Sequence, residues 1–239
     1  MHAPAAPPLP VPLLLQAYRA GVFPMADGRD DTEVFWVEPR ERAILPLNGF
    51  HMSRSLRKVL ARDRFEVTCD QAFAEIIRHC AAPRPDQPDS WISRRIEASY
   101  LALHRAGHAH SIECWLNGEL AGGLYGVAFD RVFCGESMFS LADNASKVAL
   151  AWLVAAMRRA GFLLLDCQFI TGHLATLGAQ TISQTQYREL LAAASGPSAR
   201  SIPQAIKSLQ AAGAAGAAGE AGPSSSPGKL IAQSLTQTS

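Results

Sequence analysis

Residues 109–139 read AHSIECWLNGELAGGLYGVAFDRVFCGESMF, and no other run limits the possible folds as strongly. Apolar and polar residues alternate through its successive segments with the period of a strand. Asn117-Gly118 is the pair a two-residue hairpin turn favours, because both turn positions take positive φ. A second turn falls near Asp130. An antiparallel meander is the expected result. The next segment, NASKVALAWLVAAMRRAG, has the length and apolar content of a long helix. FLLLDCQ follows as an apolar strand suited to the centre of a sheet, and TQYRELLAAA as a last helix.

Upstream, PLLLQAYRAG spaces its apolar residues as a helix and stops at Gly21. EVFWVEP and RAILPL are short β-prone runs. HMSRSLRKVLARD places Met52, Leu56, Val59 and Leu60 on one face, with Ser53 as its cap. FEVTC reads as a strand, DQAFAEIIRHCA as a helix with Asp70 at its start, PRPDQPDS as a loop, and RRIEASYLALHRAG as a helix closed by Gly107. Asp143 or Asn144 is the expected cap of the long helix. The order is α+β, with a mixed sheet and flanking helices.

At 239 residues the chain can bury a sizeable core as one large domain, or as one domain with an appendage. Its five cysteines are scattered without a CxxC pair, which suggests neither a zinc site nor a disulfide framework and fits a reducing cytosol. The apolar opening is broken by prolines and lacks a basic leader, so no signal peptide or membrane span is expected. His104, His108 and His110 approach a metal-ligand spacing, but Gly107 interrupts the helix and no fourth ligand follows, so no metal is expected. His173 reads as a structural histidine or a base. After Ser195 the composition collapses to Gly, Ala, Ser, Pro and Gln, as in disordered tails.

The net charge of +1 hides a local bias: residues 38–64 hold seven basic residues (Arg40, Arg42, Arg54, Arg57, Lys58, Arg62, Arg64) against three acidic ones (Glu38, Glu41, Asp63). Such a patch is either a solvated helix face or a surface for phosphates.

AYRAGVFPM, FWVEPRERAILPL, FHMSRSL, WISRRI, GHAHSIECW, GGLYGV, FCGESMFS, NASKVAL and DCQFITGHLATLGA occur in this order. Together they closely resemble the leucyl/phenylalanyl-tRNA-protein transferases, over about residues 13–191. The resemblance implies an acyl-CoA N-acyltransferase-like fold. It also implies transfer of leucine or phenylalanine, and also methionine, from aminoacyl-tRNA to the N-terminal Lys or Arg of cytoplasmic proteins, marking them for degradation. No cofactor is implied, and where that fold would hold the loop for a coenzyme A pyrophosphate this sequence has SLADNAS. The expected organisation is a Pro/Ala-rich leader over 1–12, a small N-terminal subdomain over 13–64, a catalytic domain over 65–195 and a disordered tail over 196–239. A small-molecule N-acyltransferase and a non-enzymatic RNA-binding protein are the alternatives.

The resemblance places Gly135, Glu136, Ser137 and Met138 on the wall of an aminoacyl pocket, with Leu124, Leu153, Leu165, Trp91 and Met25 as further lining. Read without it, Met138 and Phe139 are core residues. Asp166, Gln168 and Glu136 are the expected catalytic groups. On a strand, positions 166 and 168 share a face while Cys167 points into packing. Gln168 would orient the attacking amine, and Asp166 would either fix Gln168 or accept the proton. Read alone, Asp166 is equally a strand-end carboxylate capping the next turn. Arg54, Arg57, Lys58 and Arg62 are the expected contacts to tRNA phosphates.

Overall fold

The computed structural model describes residues 6–83, 89–218 and 226–236. Helix α1 (Val11–Arg19) has a proline in its first turn, where no N–H is needed, and buries Leu14, Leu15 and Tyr18. Strands β1 (Phe23–Met25) and β2 (Phe35–Val37) form a separate antiparallel ribbon, and β3 (Glu41–Ile44) leaves it for the main sheet. Helix α2 (Arg54–Ala61) is capped by Ser53, whose side chain accepts the Leu56 N–H, and buries Leu56 and Leu60. Strand β4 (Glu66–Cys69), helix α3 (Phe73–Cys80) and helix α4 (Arg94–Arg105) follow.

The meander is as expected: β5 (Ala109–Leu116), β6 (Glu119–Phe129) and β7 (Val132–Ser140) pair antiparallel. Asn117 and Gly118 take φ of 54° and 83°, as the hairpin turn requires. Helix α5 (Ala145–Ala160) carries the chain to β8 (Leu164–Gln168), which pairs parallel to β7. A parallel pair needs such a crossover. The remaining elements are α6 (Gly172–Thr176), β9 (Gln180–Ser183), α7 (Gln184–Ala193), α8 (Ile202–Ala218) and α9 (Pro227–Ser234).

The seven-stranded sheet runs β4-β5-β6-β7-β8-β3-β9, antiparallel except between β7 and β8. Its two faces carry separate cores. One packs α2, α5, α8 and α9; the other packs α1, α3, α4 and α7. Adjacent glycines on β6 let helices approach both faces closely. A Cβ at Gly122 would lie 2.7 Å from the Ala145 Cβ on α5, and one at Gly123 would lie 2.5 Å from the Ile76 Cδ1 on α3.

Several expectations need correction. Asp70 does not open a helix: it has φ 61°, its carboxylate accepts the Ser111 N–H and meets His110, and α3 begins three residues later. Asn144 stands at the start of α5 in the left-handed region, with no side-chain cap bond. Residues 13–64 do not stand apart, because β3 lies between β8 and β9 and α2 shares the α5-side core. The stretch after 195 is not a disordered tail where it is described: Ile202, Ile206, Ile231 and Leu235 are buried in that same core. The rest of that expected tail, 219–225 and 237–239, lies outside the described residues, as do residues 1–5 of the leader. No helix among the described residues is long and apolar enough to cross a membrane.

Candidate functional site

The parallel pairing of β7 and β8 stops at Cys134 and Asp166, although both strands run on, to Ser140 and Gln168. A cavity of about 960 Å³ opens at this divergence. The β6–β7 register explains part of it: Tyr125 faces Ser137 and Gly126 faces Gly135, which leaves Glu136 as the extra residue of a β-bulge. A bulge breaks the ladder and re-aims a side chain. Gly135, Ser137 and Met138 line the cavity beside Glu136, and so do Leu124, Leu153, Leu165, Trp91 and Met25. Every residue expected on the pocket wall is therefore on the wall of this one cavity. Leu150, Leu174, Phe23 and Phe169 add to its apolar surface. His79 adds an aromatic face, stacked on Phe139 at 4.6 Å between ring centroids.

Glu136 is the polar end. Its Oε1 accepts hydrogen bonds from the Tyr18 hydroxyl (2.7 Å) and Gln168 Nε2 (3.1 Å), and its Oε2 accepts one from the Tyr100 hydroxyl (2.9 Å). Burial pushes the carboxyl up to about 7, while the two tyrosine hydroxyls hold it back. Glu136 is thus poised to exchange a proton near neutrality. With its NH2 group turned to this carboxylate, the Gln168 amide has its carbonyl oxygen left over for a ligand. Gln168 itself has φ 55° at the strand end, a left-handed conformation that costs energy for a non-glycine residue.

The conformation of Gln168 is held from below. Asp166 Oδ1 accepts the Gln168 backbone N–H at 2.8 Å. The same carboxylate receives Arg42 Nε at 2.8 Å, Arg42 Nη2 at 2.5 Å and the Tyr187 hydroxyl at 2.9 Å. Asp166 is fully buried and Arg42 is 1% exposed. The guanidinium lies between two rings, 4.7 Å from the Phe23 centroid and 4.4 Å from that of Tyr187. Of the two roles expected for Asp166, fixing Gln168 is the one this arrangement fits. Asp166 does not line the cavity, and the carboxylate beside the Gln168 side chain is Glu136. Cys167 packs on the α5 side as expected, yet it also lines the cavity with Leu165. Arg42, counted from sequence with the surface patch, belongs instead to this buried pair.

Tyr18, Tyr100, Tyr187 and Arg42 escaped the sequence reading. The tyrosines sit at apolar helix positions, where a ring reads as core. Arg42 follows Arg40 and Glu41, so it reads with the charged surface patch, and only the apolar Ala43 and Ile44 after it hint at burial. Arg54, Arg57, Lys58 and Arg62 are exposed, along and just beyond α2, and none lines the cavity. His104 bonds the Ala109 carbonyl and stacks on Phe73, and His110 bonds Asp70. His173 lines the cavity, its pKa lowered by partial burial and by nearby Lys147.

A mixed sheet parted at one parallel pair, with an apolar cavity that ends on a carboxylate and an oriented amide, has the layout of a candidate group-transfer site for an apolar substrate. A family profile described as "Leucyl/phenylalanyl-tRNA protein transferase" matches residues 44–192, and one described as its N-terminal domain matches 8–40. A relative from Novosphingobium aromaticivorans, named leucyl/phenylalanyl-tRNA--protein transferase, is 57% identical over 97% of this chain and 97% of its own. One of the same name from Rhizorhabdus wittichii is 60% identical over 77% of this chain and 74% of its own. The chain belongs to the leucyl/phenylalanyl-tRNA protein transferase family. A solved structure from Staphylococcus epidermidis, titled as functionally unknown, covers 76% of this chain and 67% of its own at TM-score 0.40 and 12% identity.

Proposed function

We propose that this protein transfers leucine, phenylalanine or methionine from aminoacyl-tRNA to the N-terminal Lys or Arg of other proteins, as a cytoplasmic enzyme that marks them for degradation. The parted β7–β8 pair supports an acyl-CoA N-acyltransferase-like sheet in which the acyl group arrives on tRNA. The observation that carries the reading is the Gln168 amide, set at the polar end of an apolar cavity with its NH2 group on Glu136.

The reaction is aminolysis of an ester. The acceptor's α-amine has an ordinary pKa of roughly 7.7–8.0, so part of it is already neutral at pH 7. Its lone pair forms the new C–N bond to the ester carbonyl carbon. The C–O bond to the ribose then breaks, and the proton lost by nitrogen ends on the ribose oxygen. The site supplies alignment and a transient place for that proton. The Gln168 carbonyl accepts an N–H hydrogen bond from the attacking amine and orients it. An amide is too weak a base to keep the proton. Glu136, with its pKa near 7, is the adjacent base that can take it. Asp166 and Arg42 hold the Gln168 backbone and stay out of the chemistry. Met138 and the surrounding leucines take the acyl side chain, the unbranched thioether adapting to a ring or a branched chain. Arg54, Arg57, Lys58 and Arg62 meet tRNA phosphates.

The test is discharge of labelled leucyl-tRNA onto a peptide beginning with Arg. Transfer supports the reading. Acylation from a coenzyme A thioester instead would favour the small-molecule alternative, and tRNA binding without transfer the RNA-binding one.

A further inference from the structure

Helices α8 and α9 lie beyond residue 192, where the family profile ends, and contribute nothing to the cavity wall. They are nevertheless tied into the sheet side that carries α2. Gln210 Nε2 donates to the Val67 carbonyl on β4 at 2.7 Å, Arg159 on α5 donates to Ser208 Oγ at 2.9 Å, and Arg158 donates to the Ser234 carbonyl at 3.0 Å. Two glycines let the helices close on their neighbours. A Cβ on Gly213 would sit 2.3 Å from the Pro227 ring, and one on Gly228 would sit 2.1 Å from the Leu60 carbonyl oxygen at the end of α2. The Gly228 N–H donates to Asp63 Oδ1 at 2.8 Å, just past that end.

Helix α2 needs such support. At eight residues it is far below the length at which a helix persists unaided. Its exposed face carries Arg54, Arg57 and Lys58, which repel one another. Its buried stripe, Leu56 and Leu60, belongs to the same core as Ile231 of α9 and Leu235 just past its end. We propose that the α8–α9 pair is a clamp that fixes the basic helix α2 in place, making the surface that receives the phosphates of the aminoacyl-tRNA a composite of α2 and the C-terminal segment. The proposal rests on the reading of α2 as the phosphate-binding helix.

The test uses the full chain with Gly228→Val, which α9 cannot accommodate against Leu60, and Asp63→Ala, a milder change that removes only the tie to Gly228. Hydrogen exchange is followed over residues 53–64, with transfer to an Arg-peptide from leucyl-tRNA and from leucyl-adenosine. Faster exchange at 53–64 is expected in both variants. In Gly228→Val, KM for leucyl-tRNA should rise roughly tenfold, the loss of one or two phosphate contacts, while transfer from leucyl-adenosine is unchanged. Equal losses with both donors, or an unchanged KM despite faster exchange, would overturn the clamp. If Gly228→Val does not fold, Asp63→Ala decides by the same split, with a smaller rise. Arg57→Glu separates the two ideas. If it raises KM for leucyl-tRNA while the clamp variants do not, the clamp alone falls; if it leaves KM and salt dependence unchanged, the α2 reading falls and takes the clamp with it.

Discussion

Replacing Asp166 with alanine should damage the fold before it damages the chemistry. The substitution leaves the Arg42 guanidinium buried at 1% exposure without its carboxylate, and strips the Tyr187 hydroxyl and the Gln168 N–H of an acceptor. Breaking a buried pair from one side costs about 3–5 kcal/mol. In a chain of this size each kcal/mol moves Tm by about 2–4 °C, so a drop of roughly 6–20 °C is expected. Gln168→Ala removes one hydrogen bond to Glu136, worth about 1–3 kcal/mol, and should lower Tm by roughly 2–12 °C. Transfer should fall on the order of 100-fold in both, the scale of a misplaced reacting group. The double variant Arg42→Met with Asp166→Leu removes both charges at similar volume and should recover much of the lost Tm, yet not the lost activity. Thermal denaturation alongside single-turnover transfer reads all of these. An Asp166→Ala protein with wild-type Tm but no transfer would refute the reasoning and make Asp166 a participant in the reaction.

Glu136 gives a pH prediction. Its folded pKa of about 7 lies above the ordinary 4.5, so the folded protein binds this proton more tightly than the unfolded chain. That stability is fully present below about 4.5 and lost as pH rises through about 7. Relative to Glu136→Gln, wild-type Tm should therefore fall across that window and run parallel above it. Transfer should show an acidic limb near 7 that Glu136→Gln lacks; an identical limb in both would leave the acceptor amine as the only titrating group. The pocket should exclude side chains branched at Cβ, since one misplaced methyl is worth roughly 10- to 200-fold in rate. Met138→Ala should weaken leucine more than phenylalanine while isoleucine stays poor, and isoleucyl transfer equal to leucyl transfer in the wild type would sink the pocket assignment.

The meander was legible because its alternation and the Asn117-Gly118 pair are local signals that tertiary packing had no reason to override. The wall from Gly135 to Met138 was legible through the resemblance, not through periodicity. What alternation could not show is the bulge that frees Glu136 from the ladder, or the left-handed turn at Gln168, because both break the two-residue period at the point where the site is built. Of the two roles open to Asp166, fixing Gln168 agrees with its bond to the Gln168 N–H; its other partners, Arg42 and Tyr187, were not legible because they arrive from distant strands and helices. In the C-terminal segment, Gly- and Ala-rich composition masked Ile202 and Ile206, spaced one helical turn apart, and Ile231 and Leu235, spaced likewise. Four anchors suffice when a core is already there to receive them.

The most direct test incubates the protein with labelled leucyl-tRNA and three peptides identical except at the first residue: Arg, Gly, and Arg with its α-amine acetylated. The account predicts one leucyl residue added to the free Arg peptide, little to the Gly peptide and none to the blocked one. Label released only as free leucine, or equal addition to all three, would contradict it.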